Sequence, residues 1–327
     1  MKAAIRRRYG PPGDVVELAD VERPTPGDDE VLVKVRAASV NRADLDGIQP
    51  RPRFVRLFIG VRAPRDPRVG LDVAGVVESV GASVTRFQPG DEVFADLYPF
   101  GGGAFAEYAC APERAFLPIP AGLSFADAAT LPHSAILAIQ GLRRRDGRTV
   151  RPGDSVLIDG ASGNVGPFAI QIAKSMGAEV TAVASQAKLD FVRSLGADHV
   201  IDYTTVDYTA TGARYDWILD TDSHHPIRRV RRALRSGGTY VTLGGEAKPL
   251  LGALILGPLA SLASDKSSGL LLWWKPFAPG DVATLTDLVA SGAVTPSIDR
   301  RFPLSETVAA LQWMDDGHAR GKVVIDV

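Results

Sequence analysis

Ser155-Val156-Leu157-Ile158-Asp159-Gly160-Ala161-Ser162-Gly163-Asn164-Val165-Gly166 is an apolar run that ends in three spaced glycines, and residues 168–174 continue it with helical character. The run reads as a buried strand, the glycines as a tight turn, and the segment after them as a helix with free N–H groups at its start. A dinucleotide pyrophosphate needs this arrangement, because missing Cβ atoms let the phosphates approach the backbone. The spacing is GxxGxxG rather than the commoner GxGxxG, so its weight comes from context. The candidate cradle is Gly160, Ser162, Gly163, Asn164, Val165 and Gly166. Asn164 replaces the glycine most often found there, a change that a left-handed backbone tolerates.

The context is an alternation of strands and helices. Strands are expected at Ser155–Asp159, Glu179–Ala184, His199–Asp202, Tyr215–Asp220 and 239–243, with helices at 165–176, 187–195 and 226–234. Such alternation predicts a doubly wound parallel sheet. Before it, one helix is expected over 124–142, with Ser124 as N-cap. The first 120 or so residues read instead as short strands between glycine and proline turns, a partly open β-barrel. Helices near 282–290 and 306–315 and a strand at Lys322–Asp326 close the chain, and that last strand is expected to join the barrel. The expected domains are 1–123 plus 280–327, and 124–279.

Composition narrows the function. The 327 residues are 45% hydrophobic and 23% charged with a formal net charge of −1, which disfavours a polyanion as main partner. Cys110 is the single cysteine, so neither an internal disulfide nor an all-cysteine metal site can form. The first ten residues lack an apolar core, so a cytoplasmic protein is expected. The Leu-rich stretch from Pro249 to Trp274 is interrupted by Asp265, Lys266 and several glycines, and reads as a buried or subunit-facing segment with a strand at 269–273, not a membrane span. Arg228, Arg231, Arg232 and Arg235 share one helical stripe, read as a solvated outer face rather than a nucleic-acid surface.

Further stretches stand in a familiar order: Ala38-Ser39-Val40-Asn41, Gly70-Leu71-Asp72-Val73-Ala74-Gly75, Gly90-Asp91-Glu92-Val93, Gly103-Ala104-Phe105-Ala106-Glu107-Tyr108, Ser194-Leu195-Gly196-Ala197-Asp198, and Gly317-His318-Ala319-Arg320-Gly321-Lys322. With these the chain resembles the medium-chain dehydrogenase/reductase superfamily, in its zinc-independent, quinone-oxidoreductase-like branch. The resemblance implies an α/β protein, with a GroES-like barrel domain joined to a Rossmann domain, that binds NAD(P)H between them, takes a small-molecule substrate and forms a homodimer. It extends the expected cofactor contacts to Leu243, Gly244, Leu272, Trp273 and Lys322.

Zinc-dependent relatives carry a cysteine and a His-Glu pair where this chain has Asn41 and Leu71-Asp72. The histidines stand at no metal-ligand spacing, so no metal is expected. Nothing acidic follows the strand Glu179–Ala184, whereas Ser185 and Lys188 suit a 2′-phosphate and Tyr203 resembles the tyrosine beside it in related reductases; NADPH is the expected cofactor. Without a Lewis acid, hydride addition to a quinone or to an enone β-carbon is favoured over ketone reduction, because the resulting anion is far less basic than an alkoxide. Asn41 is the expected orienting residue, its alternative role being a loop cap. The tyrosine that some relatives place after it is missing, and Asp44 and Asp46 read as solvated loop acids, so solvent is the expected proton donor. A metal-free alcohol or carbonyl dehydrogenase and a silent NADPH-binding sensor are the rival readings; Asn164, Leu137, where relatives often carry threonine, and the missing tyrosine support the second.

Overall fold

The structure is a computed structural model, which describes residues 1–50, 56–271, 274–276 and 278–327, with the side chain of Phe58 set aside. Its first stretch runs β1 (Lys2–Arg6), α1 (Pro12–Val15), β2 (Val16–Asp20), β3 (Glu30–Val40), α2 (Arg42–Ile48), α3 (Arg56–Ile59), β4 (Asp72–Val80), β5 (Glu92–Asp96), β6 (Tyr108–Pro112), β7 (Phe116–Pro118) and α4 (Phe125–Thr130). Next come α5 (Pro132–Gly141), β8 (Ser155–Asp159), α6 (Gly166–Ser175), β9 (Glu179–Ala184), α7 (Leu189–Ser194), β10 (His199–Asp202), β11 (Tyr215–Asp220), α8 (Ile227–Arg232), β12 (Leu234–Thr242), α9 (Ala247–Leu251), α10 (Gly257–Leu262) and β13 (Ser267–Leu270). The chain ends with α11 (Pro279–Ala290), β14 (Ile298–Pro303), α12 (Thr307–Asp315) and β15 (Lys322–Asp326).

Two compact units result, one of residues 1–134 and 298–327, the other of 135–297. The first holds a sheet ordered β14-β15-β3-β4-β5-β7, with β6 also on β3 and a separate β1–β2 pair. β3 alternates in burial along its outer half and is buried throughout its last four residues, which pair with the closing strand: Val40 lies opposite Val323 and Ser39 opposite Val324. The end of the chain therefore completes the N-terminal sheet, as its sequence suggested. Val31, Val33, Val73, Phe105, Phe116 and Val323 lie in the core.

The second unit is a parallel sheet ordered β10-β9-β8-β11-β12-β13. This is the doubly wound order that reverses beside β8, where the glycine turn begins. Its core gathers Leu157, Ile218, Val230 and Tyr240, and buried Trp217 donates its ring N–H to the Gly141 carbonyl at 3.0 Å.

Several elements differ from the sequence expectation for physical reasons. The helix expected over 124–142 is two, α4 and α5, because Pro132 cannot donate a helix hydrogen bond and so breaks the ladder after Leu131. Ser124 does cap α4, its hydroxyl accepting from the Asp127 N–H at 3.1 Å. The helix expected over 226–234 ends at Arg232, and Leu234 already begins β12. The arginine stripe is thereby broken. Arg235 stands on a strand and pairs with Asp216 at 2.5 Å, while half-buried Arg231 donates to the Ala260 carbonyl and Ser264 hydroxyl, locking α8 to the α10–β13 turn. The expected strand at 269–273 is β13, ending at Leu270, and the expected contacts Leu272 and Trp273 lie outside the described residues.

Candidate active site

Each unit builds one half of the chemistry. In the second, β8 delivers Asp159 to the turn and Gly160 leaves it with φ +73°, a left-handed backbone that a side chain resists. A Cβ on Gly160 would lie 2.2 Å from the Thr221 hydroxyl, and one on Gly166 would lie 2.3 Å from the Ala161 carbonyl oxygen. The glycines thus close the turn onto its neighbours. α6 starts at Gly166 with Pro167 in its first turn and no side-chain cap, so its leading N–H groups are left for a ligand. Asn164 shows no positive φ, so the left-handed tolerance invoked for it is not used.

The residues expected to read the ribose phosphate are brought together. Ser185 caps the short 3₁₀ turn Gln186–Lys188 after β9, and the Tyr203 N–H donates to the Ala184 carbonyl at 3.2 Å, which places the tyrosine beside the tip of β9. Tyr203 is 62% exposed, a ring ready to be covered. Leu243 and Gly244 follow β12 on the same end of the sheet; the Leu243 N–H donates to the Asp220 carbonyl, and the Gly244 carbonyl accepts from Ser223. These features fit a dinucleotide: a glycine turn that a Cβ at Gly160 or Gly166 would crowd, leading helix N–H groups, and Ser185 and Lys188 following β9.

Asp159 and Asp220 lie opposite each other on adjacent strands beneath this turn. Burial pushes the Asp220 carboxyl up to about 6 despite hydrogen bonds from Tyr240, at 2.9 Å, and from the Asp222 N–H. Burial, and then Asp220 itself, raises Asp159 further. The pair thus carries less negative charge near neutral pH than two free carboxylates would, which eases the approach of a phosphate.

In the first unit, β3 ends at Val40 and delivers Asn41, the residue before α2, into a buried polar network. Asn41 is 1% exposed. Its amide N–H donates to Asp72 Oδ2 at 2.9 Å, and its Oδ1 accepts from Lys322 Nζ at 2.6 Å and Ser134 Oγ at 3.1 Å. Lys322 Nζ also donates to Asp72 Oδ2 at 3.2 Å and to Ser134 Oγ at 3.1 Å. Burial lowers the Lys322 pKa and raises that of Asp72, each shift opposed by the other's charge. At one edge, His133 donates its backbone N–H to Asp72 Oδ1 at 3.0 Å and sets Nδ1 against Asp96 Oδ2 at 2.8 Å. Burial alone would disfavour the His133 imidazolium, but Asp96 and Asp72 outweigh it and raise its pKa.

Asn41 stands at the start of α2, as its loop-cap reading expected, and its side chain is engaged in this network. Its backbone N–H donates to Asp44 Oδ2 at 2.7 Å, half of a capping box, while its amide links the network. Asp44 is the correction: it is buried, not a solvated loop acid, and burial pushes its carboxyl up to about 7. Asp46 is exposed enough to pair with Arg42 across one helical turn. Lys322, expected among the cofactor contacts, directs its hydrogen bonds into this network.

Sequence reasoning passed over Asp96, His133 and Ser134. The signal was present for Asp72 and Asp96, single acids inside the apolar runs Val73-Ala74 and Val93-Phe94-Ala95. An acid buried in a strand demands a partner. Nothing in the order of residues said that the partners would come from positions 133 and 322. Among the described residues no group of three or more His, Cys, Asp or Glu is arranged to hold a metal ion, and no helix is long and apolar enough to cross a membrane.

Comparison with known proteins adds lineage to this geometry. Residues 27–121 match the alcohol dehydrogenase GroES-like domain and residues 195–325 match a family described as zinc-binding dehydrogenase. The chain is similar to the chloroplastic quinone-oxidoreductase QR1 of Triphysaria versicolor, 32% identical over 100% of this chain and 98% of that one. It is equally similar to a chloroplastic NADPH-dependent alkenal/one oxidoreductase of Arabidopsis thaliana, 32% identical over 99% of this chain and 79% of the other. Among solved structures, the quinone oxidoreductase from Coxiella burnetii superposes with a TM-score of 0.86 at 30% identity, covering 100% of this chain and 99% of that one.

Proposed function

Since the chain belongs to the quinone-oxidoreductase-like branch of the medium-chain dehydrogenase/reductase superfamily, and is an oxidoreductase that uses a nicotinamide cofactor, we propose that it is an NADPH-dependent, zinc-independent reductase of quinones or activated C=C bonds. The observation that carries this reading is the Lys322 ammonium held between Asn41, Asp72 and Ser134. It stands among the residues that replace a zinc ligand set, and both oxygens of Asp72 are already hydrogen-bonded. The donor set does not fit zinc, which needs about three free thiolate, imidazole or carboxylate ligands together.

When bound, the cofactor supplies a hydride. Ser185 and Lys188 favour the 2′-phosphorylated form, since no carboxylate at the tip of β9 accepts from a free 2′-hydroxyl. The network of Asn41, Lys322 and Asp72 supplies preorganised polar groups that stabilise an enolate or hydroquinone anion, and makes a poor substitute for a Lewis acid at an alkoxide. His133 sits at the rim of the network, with its side chain 11% exposed, and against burial Asp96 and Asp72 raise its pKa, which suits it to hold and return a proton. This assigns the proton to the protein where the sequence had assigned it to solvent. An alkenal/one oxidoreductase and a quinone oxidoreductase among the relatives support both substrate classes. The homodimer and the cytoplasmic setting belong to the same proposal.

The test is reduction of an enone with stereospecifically 4-deuterated NADPH. Deuterium is expected at the β-carbon of the product. Label at a carbinol carbon, with the C=C bond intact, favours the carbonyl-dehydrogenase reading, and NADPH binding without turnover on quinones or enones favours the sensor.

A further inference from the structure

A second polar cluster in the first unit is built from cations alone. The ring of Tyr9 lies between two guanidinium groups, with Arg56 at 4.7 Å and Arg6 at 6.0 Å from its centroid. Its hydroxyl donates to the Gly60 carbonyl at 2.8 Å and so fastens the turn that follows α3. Arg6 Nη1 donates to the Gly47 carbonyl, yet the Nε atoms of both Arg6 and Arg56 are buried with no hydrogen-bond partner. Among the described residues no carboxylate lies within 4.0 Å of either guanidinium. Neither of the two acids that Arg6 senses pairs with it: Asp66 pairs with Arg68 at 2.6 Å, and Asp44, its carboxyl pushed up by burial, gives Oδ2 to the Asn41 backbone and leaves Oδ1 without a partner.

Two like charges half-buried around one ring, with unmet donors, are costly unless an anion completes them. The same turn exposes apolar side chains beside the charges, Leu57 at 63% and Val61 at 62%. Gly47 stands six residues beyond Asn41 along α2, about 9 Å at the helical rise.

We propose that Arg6, Tyr9 and Arg56 form an anion subsite that takes a carboxylate or phosphate ester on the apolar body of the substrate. The inference rests on the reductase reading and narrows it to anionic, amphipathic enones, enoyl esters or quinones. Bidentate guanidinium donors suit both anion types, and Leu57 and Val61 face the carbon chain. The subsite anchors one end of the substrate while the Asn41–Lys322 network, about two helical turns away, meets the other.

Matched substrates test it. One pair is an enone ending in a carboxylate and its methyl ester; the other is an enoyl thioester of coenzyme A and the same acyl group on N-acetylcysteamine. Each pair is reduced with NADPH by wild type, Arg56→Gln and Arg56→Lys, and the ratio of kcat/KM, anionic over neutral, is compared. A wild-type ratio of about 10 to 100, the worth of one charge-assisted contact, is expected in at least one pair. Arg56→Gln should bring it near unity and Arg56→Lys should keep part of it. The pair that responds tells carboxylate from phosphate. Ratios near unity in both wild-type pairs overturn the subsite and leave the reductase standing. If no substrate is reduced, the reductase reading itself fails. The subsite is then decided by calorimetric titration of inorganic pyrophosphate and of succinate with NADP present. Saturable heat that Arg56→Gln loses supports it; identical heats in both proteins overturn it.

Discussion

At the scale of single residues, the buried acids set the pH behaviour. Asp44 titrates near 7 in the fold and near 3.8 when unfolded. Between those values the native state holds the extra proton, so this group makes the protein less stable as pH rises from about 4 to 7, with no further change above. Asp44→Asn keeps the acceptor for the Asn41 N–H and removes the titration. Its stability, read from thermal melts, should match wild type near pH 4 and exceed it at pH 8, by a few kcal/mol at most since one pKa unit is about 1.4 kcal/mol. Parallel pH profiles of the two proteins would refute the assignment. Lys322 is a different case, because Lys322→Met leaves Asp72 buried without its counter-ion and should cost about 3–5 kcal/mol. Adding Asp72→Asn should restore much of the stability in thermal melts but not the turnover, which separates holding the fold from doing the chemistry. Lys188→Ala should weaken NADPH about 10- to 100-fold and leave NADH nearly unchanged; equal losses in a titration of both would remove the case for NADPH. What was legible here was the local chemistry of Asn41, Ser185 and Lys188. The environment of Asp44 was not, because its burial depends on distant elements such as α1 and α12 packing against α2, and a seven-residue helix gives no periodicity strong enough to mark its inner face.

At the scale of elements, the glycine turn between β8 and α6 carries both fold and ligand. Gly160→Ala places a methyl group 2.2 Å from the Thr221 hydroxyl at a positive φ. The turn must open, so the variant should lose about 1–3 kcal/mol of stability and most of its dinucleotide affinity, measured by melting with and without NADPH. A variant that binds NADPH as tightly as wild type would show that the cradle lies elsewhere. The parallel sheet was legible strand by strand, since strands buried on both faces are short runs of Val, Ile and Ala bounded by turns. Helix ends were less so. The sequence of α8 and β12 is one continuous run of Arg, Val and Leu, and only the pairing of Leu234 with Tyr215 decides where helix gives way to strand.

At the scale of the whole molecule, one surface is out of character. Leu251, Ile255, Leu259 and Leu262 lie exposed along the helical segment that includes α9 and α10, Leu262 by 88%, while Ala253 and Gly257 on the opposite side are buried. Beside it β13 ends the sheet with an unpaired edge. A helix apolar on both sides next to a free edge is covered in a stable protein by another surface, and a second copy supplies one. The chain should elute as a dimer in light-scattering chromatography, and Leu259→Asp with Leu262→Asp should shift it to monomer. A wild-type monomer would refute this. The sequence marked the segment as buried or subunit-facing from its apolar content alone; which leucines face outward needed the fold.

The placement of β15 has a consequence for how the protein is made. Lys322 is supplied near the end of the chain, and Asn41, Asp72 and Ser134 wait for it from the first half. On the ribosome, residues 135–297 emerge and can fold as a unit while the other sheet still lacks both β14 and β15. A nascent or prematurely terminated chain thus holds a dinucleotide fold, together with buried acids that have no counter-ion and an open edge on β3. Such a chain can bind cofactor without turning it over, and its unsatisfied edge is a handle for the chaperones and proteases that sort unfinished protein. The charged network can assemble only once β15 has emerged and brought Lys322 with it.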